Sequence, residues 1–350
     1  MPEEPRKLGL LKTFFRRDPR GDWGIQAMQG INLRPREHAG PEDFFEIADE
    51  LLVIQPNIAG TTTGILGQSI VPIVAHSHGA LEMRCLGTGF FVSCSGLLIT
   101  AAHVITDPIT RKNPYAKPID DRNWRLDNGS LGVMVRLPSL PPESRHVFRP
   151  IEWSAFLGER TESPLPIAGI DLKLNSDVAV CKVAPIQADV PFQPLAIVHR
   201  NLAGVGMGVG KRATAIGYGA MERIPLRNES GRLIPEHLPL EMHVSSGLIL
   251  EHFPDNWVKK HVPSPGPCFS AALRVPHGMS GSPIFDDEGV YVHGVVSTGW
   301  DLGADAEPLG FGSMLAASLE VPIGPLNNKT LTELHSMDEH GFPKLSGPGI

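Results

Sequence analysis

From Ile65 onward the chain is built of short apolar runs bounded by glycine and polar residues. That is the pattern of half-buried strands, not of long helices. Ile70–Ala75, Gly87–Ser93 and Leu97–Ala101 form a first group, and Asp171–Val183 closes it. Residues 107–170 lie between them, rich in proline and charge, with one strand expected at Leu131–Leu137. A linker is expected at about 185–205. Beyond it come runs at Arg212–Tyr218, Met242–Leu250, Cys268–Val275, Gly281–Phe285, Val290–Ser297 and Leu309–Leu315. The pattern predicts an all-β body framed by two helices. Pro41-Glu42-Asp43 suits a first helical turn, because proline tolerates that position and the acids favour the positive end of the helix dipole. Phe44, Phe45, Ile47, Ala48, Leu51 and Leu52 then share one apolar face, and Pro56 ends it. Thr330-Leu331-Thr332-Glu333 reads as a capping box for a C-terminal helix, with Gly341 as its stop. Residues 1–40 are polar and basic with little periodicity.

Composition narrows the class. The 350 residues are 41% hydrophobic and 20% charged, as in an ordinary soluble protein, and the high content of glycine (37) and proline (33) suits many turns. A net charge of −7 makes nucleic acid an unexpected partner. No apolar run reaches the roughly 18 residues of a membrane span. Glu3, Glu4, Lys12 and Arg16-Arg17 do not fit a secretory signal, so a cytoplasmic location is expected. Lys7–Arg17 reads as a solvated arm. Cys85, Cys94, Cys181 and Cys268 show neither a C-x-x-C pairing nor metal spacing, and reduced, buried thiols are expected. His277 has no second ligand spaced to join it, and His76 and His78 fall in a polar stretch. No metal and no cofactor are expected.

Three segments carry chemistry. His277-Gly278-Met279-Ser280-Gly281-Ser282-Pro283 sets a serine between glycines ahead of an apolar strand. Thr100-Ala101-Ala102-His103 ends another strand, and Asn175-Ser176-Asp177 enters a third. A serine hydroxyl is a weak nucleophile until a base takes its proton, and a carboxylate can hold that base in the right tautomer. His103, Asp177 and Ser280 supply these parts in order. Asp171 competes with Asp177 for the third.

These motifs resemble the trypsin-like serine proteases of the chymotrypsin double-barrel type, in their bacterial, HtrA-like branch. Subtilisin-like enzymes run Asp, His, Ser and α/β-hydrolases run Ser, acid, His, so chain order excludes both. Gly87-Thr88-Gly89-Phe90, Ser246-Gly247-Leu248-Ile249 and Leu309-Gly310-Phe311 extend the resemblance over roughly residues 65–320. It implies two six-stranded antiparallel β-barrels with an N-terminal helical extension and a C-terminal helix. The divisions are an extension at 1–64, a first barrel at 65–190 with an insertion at 107–170, a second barrel at 191–325, and a helix and tail at 326–350. The stretch after Ser280 leaves no room for a PDZ domain, and the terminal helix is expected to pack on the second barrel.

The resemblance also assigns roles. Asp177 directly precedes Val-Ala-Val, as the family's acid does. The N–H groups of Gly278 and Ser280 would form the oxyanion hole. Ser297, Thr298 and Gly299 would pair with substrate as an added strand. Arg274 would lie at the base of the specificity pocket, followed by Val275; Val296 and Gly299 would form its far wall, and His277, beside the nucleophile, is counted with the substrate-binding residues. If Arg274 points inward, cleavage follows Asp or Glu. If it turns outward, the pocket is shallow and apolar and cleavage follows Ala, Val or Leu. Met279 replaces the aspartate of digestive trypsins, so zymogen activation through that ion pair is not available, and a regulatory protein partner or narrow specificity is expected. The function implied is an intracellular serine endopeptidase acting on protein or peptide through an acyl-enzyme on Ser280. The alternatives are an idle protease fold serving as a binding module, or an esterase using the same triad.

Overall fold

In a computed structural model of the chain, the described residues are 13–17, 23–27, 51–54, 67–75, 82–110, 116–120, 122–126, 131–136, 146–157, 176–185, 191–198, 207–219, 223–225, 242–253, 267–286, 291–300, 308–337 and 340–342. The strands before the first barrel are β1 (Thr13–Arg17), β2 (Trp23–Ala27) and β3 (Leu51–Ile54). The first half continues with β4 (Ile70–Ala75), β5 (Glu82–Phe91), β6 (Leu97–Thr100), β7 (Ala116–Pro118), β8 (Asn123–Leu126), β9 (Leu131–Arg136), β10 (His146–Phe156) and β11 (Ala179–Val183). The second half holds β12 (Arg212–Tyr218), β13 (Arg223–Pro225), β14 (Met242–Phe253), β15 (Cys268–Ala271), β16 (Pro283–Phe285), β17 (Val292–Trp300) and β18 (Leu309–Met314). Besides short 3-10 turns and a helical turn at 67–69, the described helices are α1 (Ala102–Thr110) and α2 (Leu331–Ser336).

Two rings account for most of these strands. The first runs β11-β6-β5-β4-β9-β10 and closes where β10 pairs with β11. The second runs β12-β16-β17-β18-β15-β14 and closes where β14 pairs with β12. All the ring pairings are antiparallel, so the body is two closed six-stranded barrels, as the sequence led one to expect. Closure leaves no free edge in a barrel, which removes the usual aggregation hazard of open sheets. Ile73, Phe90, Leu98, Ile99, Val133, Ile151 and Val180 are fully buried in the first core. Ala215, Phe269, Met279, Ile284 and Val296 fill the second. The linker touches both barrels: Leu195 N–H donates to Phe91 O at 2.7 Å, and Val198 N–H donates to Val292 O at 2.9 Å.

Five expectations need correction. Segment 107–170 is not simply an insertion, because β9 and β10 are ring strands of the first barrel; only β7 and β8 hang outside the ring. Leu51 and Leu52, assigned to a helical face, belong to β3, which pairs with residues 242–245 of β14; residues 41–50 lie outside the described set. The N-terminal stretch without periodicity contains the β1–β2 hairpin. The capping box is present, with Thr330 and Glu333 bonding each other's backbone N–H, but α2 ends at Ser336, well before Gly341. Nor does the C-terminal segment pack on the second barrel alone. Leu331 and Leu334 join a core shared with the first barrel, and Gly341 O accepts from Cys94 N–H at 3.1 Å. All four cysteines are free thiols, and burial pushes the Cys85 thiol up to about 12.

The ring membership of β10 has a measurable consequence. Ile151→Ala should lower stability by about 2–5 kcal/mol, the cost of a cavity in a closed core. Chemical denaturation would check this, and an unchanged midpoint would return the segment to the status of a dispensable insertion.

Candidate active site

The site forms at the seam between the barrels. His103 stands in the first turn of α1, immediately after β6. Its backbone N–H donates to Asp177 Oδ1 at 3.0 Å, and its Nδ1 lies 2.7 Å from Asp177 Oδ2. Asp177 precedes β11, the neighbour of β6 in the ring, so sheet pairing sets the carboxylate beside the histidine. Ala102 N–H also donates to Asp177 O at 3.2 Å. Asp177 is buried, whereas the His103 side chain is 42% exposed. A buried carboxylate needs hydrogen-bond donors around it. Ser297 supplies another from the second barrel, its Oγ donating to Asp177 Oδ2 at 2.6 Å. The ring is part-exposed and its Nδ1 is held by the acid, which fixes its orientation. Asp171 lies outside the described residues.

Ser280 comes from a tight turn ahead of β16. Gly278 has φ +98° and Gly281 φ +89°, values that residues with a side chain rarely adopt. Gly281 also has no room for more: an added Cβ would lie 2.0 Å from Thr88 O and 2.2 Å from Thr100 Oγ1. The turn is laced by Met279 N–H to Pro276 O at 3.1 Å, Ser282 N–H to Met279 O at 3.0 Å and Gly281 N–H to Val296 O at 2.7 Å. The N–H groups of Gly278 and Ser280 donate to no group among the described residues. Ser280 is half-buried. Its Oγ donates to Ser297 O at 3.1 Å, so in this state the hydroxyl is turned to β17 and not to His103.

The residues expected to line a specificity pocket separate. Arg274 and His277 are exposed, and Arg274 N–H donates to Ser245 Oγ at 2.8 Å. The inward-pointing arginine is therefore set aside. Val296, expected in the far wall, is wholly buried in the second core. Val275 fills the space instead. A Cβ added at Gly299 would stand 2.6 Å from Val275 Cβ, and one at Gly310 would stand 2.8 Å from Val275 Cγ2. Ser297, Thr298 and Gly299 lie on β17 beyond the reach of β16, which pairs only as far as Val295. Two roles escaped sequence reasoning: the Ser297 hydroxyl as a partner of Asp177, and Thr88 as the support of the serine turn. The Gly-Thr-Gly run was the only signal for Thr88.

The family model for the trypsin-like peptidase domain matches residues 87–295, more than half of the chain. The chain belongs to that family. Among solved structures it is similar to the Rv3671c protease of M. tuberculosis in its active form, at 19% identity and a TM-score of 0.37, over 73% of this chain and 81% of that one. No curated protein matches it in sequence. No helix among the described residues is long and apolar enough to cross a membrane.

The glycine after the serine tests the turn independently of any chemistry. Gly281→Ala should destabilise the fold by at least about 2 kcal/mol, because it combines a strained φ with a backbone clash. Thermal or denaturant unfolding would read it, and a neutral result would mean that the turn relaxes more easily than its contacts imply.

Proposed function

We propose that the chain is a serine endopeptidase in which Ser280 attacks the scissile carbonyl, His103 moves the proton and Asp177 holds the imidazole. The observation that carries this reading is the doubly bonded Asp177–His103 pair, with its second-barrel support from Ser297. With Nδ1–H given to Asp177, the other ring nitrogen is the one that would take the serine proton. The Gly278 and Ser280 N–H groups, uncommitted among the described residues, would accept the negative charge that develops on the carbonyl oxygen. An extended peptide added along Ser297–Gly299 would donate its own N–H to Ser297 O. That carbonyl now holds the Ser280 hydroxyl, so substrate binding itself would release the nucleophile to rotate toward His103. Nothing in this sequence of steps calls on a cofactor, and the four free thiols suit work in a reducing compartment.

The pocket reading follows from Val275. With Arg274 in solvent and Val275 packed between Gly299 and Gly310, the space for the side chain before the cut is small and apolar. We expect cleavage after Ala or other small apolar residues.

Ser280→Ala should leave the fold intact and lower peptide turnover by a factor on the order of 10⁶. A fluorophosphonate should label the wild type and not this variant. Near-normal turnover by folded Ser280→Ala would refute the assignment, and an unlabelled, inert wild type would favour the binding-module reading. A peptide library varied at the residue before the cut, run beside small esters, checks the pocket: preference for Ala or Val is expected, and a strong Lys or Arg preference would overturn it.

A further inference from the structure

Thr88 is a fully buried threonine at the seam, one strand away from the candidate triad. Its backbone N–H donates to Ser280 O at 2.8 Å. Its Oγ1 accepts from Tyr218 N–H at 2.9 Å and stands 2.9 Å from Gly278 O, with Tyr218 O farther off at 3.3 Å. A hydroxyl has one hydrogen to give. The nearer acceptor is the Gly278 carbonyl. Thr88 is fixed in turn by Thr100, whose Oγ1 donates to Thr88 O at 2.6 Å.

The peptide units of the serine turn alternate in a telling way. The unit between His277 and Gly278 carries one of the two uncommitted N–H groups, and the unit between Met279 and Ser280 carries the other. The units between and after them expose the carbonyls of Gly278 and Ser280, and Thr88 holds both. Glycine at φ +98° has no Cβ to resist rotation of the peptide before it. An external clamp is what keeps such a unit aimed.

We propose that Thr88 is a positioning residue for the oxyanion site, using its side chain and its backbone to clamp the peptide units flanking both N–H donors. It touches no reacting atom and acts through the aim of the donors. The inference rests on the endopeptidase reading above. Donors are useful only where the oxyanion will sit, and small misplacements are costly in rate.

The test uses the full chain, a fluorogenic peptide with Ala before the cut, and complete fluorophosphonate labelling to count active sites. Thr88→Val keeps the shape and loses the hydroxyl, while Thr88→Ser keeps the hydroxyl. We expect Thr88→Val to lower kcat per titrated site by roughly 10- to 100-fold with KM nearly unchanged, and Thr88→Ser to stay within about threefold of wild type. A residue with only a structural role would reduce the number of titratable sites and leave kcat per site alone, and that result overturns the proposal. If Thr88→Val does not fold, Thr88→Ser is compared with Thr88→Ala, which differ by the hydroxyl alone; equal kcat per site overturns it. A wild type that neither cleaves nor labels removes the endopeptidase reading, and this role with it. A wild type that cleaves while Thr88→Val matches it removes this role only.

Discussion

The hydrogen bond from Thr88 N–H to Ser280 O is the contact on which the rest of this molecule turns. Each barrel closes its own ladder, and between the two lie a shared apolar core, the β13–β5 pairing and the backbone bonds of the seam. There the strand-to-turn transitions leave backbone groups with no ladder partner, and a buried group without a partner costs about 1–3 kcal/mol. β5 of the first barrel and the serine turn of the second answer each other's unpaired groups. Gly281 lets them approach to backbone contact, and Thr100 braces β5 from behind. The candidate site is thus a consequence of how two closed sheets meet.

The same logic explains the burial of Asp177. A carboxylate removed from water must be surrounded by donors. Two of its donors come from His103 in the first barrel and one from Ser297 in the second. The carboxylate therefore does double duty: it orients the imidazole and it registers one barrel against the other.

Much of this was legible in the chain. The ring strands β4, β6, β9, β12 and β18 follow apolar runs bounded by glycine or polar residues, and the His, Asp and Ser motifs lay at strand ends where loops can present them. What was illegible was non-local or locally contradictory. β10 carries Arg149, Pro150 and Glu152, which break its alternation. Pro150 sits where pairing with β9 gives way to pairing with β11, beside an irregularity between Ile151 and Trp153, a place where a missing N–H is tolerated. Leu51–Ile54 is a four-residue apolar run that fits a buried strand or a helical turn equally well; its partner, residues 242–245, decides the matter and is far away in sequence. Thr88 was visible as part of a motif, but its partner Gly278 is 190 positions on, and no local pattern announces such a bond.

Ser297 shows how one irregularity serves several ends. In a regular strand the side chain stands off the sheet while the carbonyl points along it. The register of β17 against β18 slips between Val296 and Thr298, so Ser297 is left out of the ladder at that point. A residue freed in this way can be re-aimed. Its hydroxyl reaches back to Asp177 and its carbonyl takes the Ser280 hydroxyl, while Val296 before it stays in the core. Acid and serine are thus tied to one residue through opposite ends of that residue. Any ligand that competes for the Ser297 carbonyl changes what Ser280 bonds to without disturbing Asp177, because the hydroxyl and the carbonyl are separate groups. The bulge in β17 is what lets the resting contact be broken while the acid stays held.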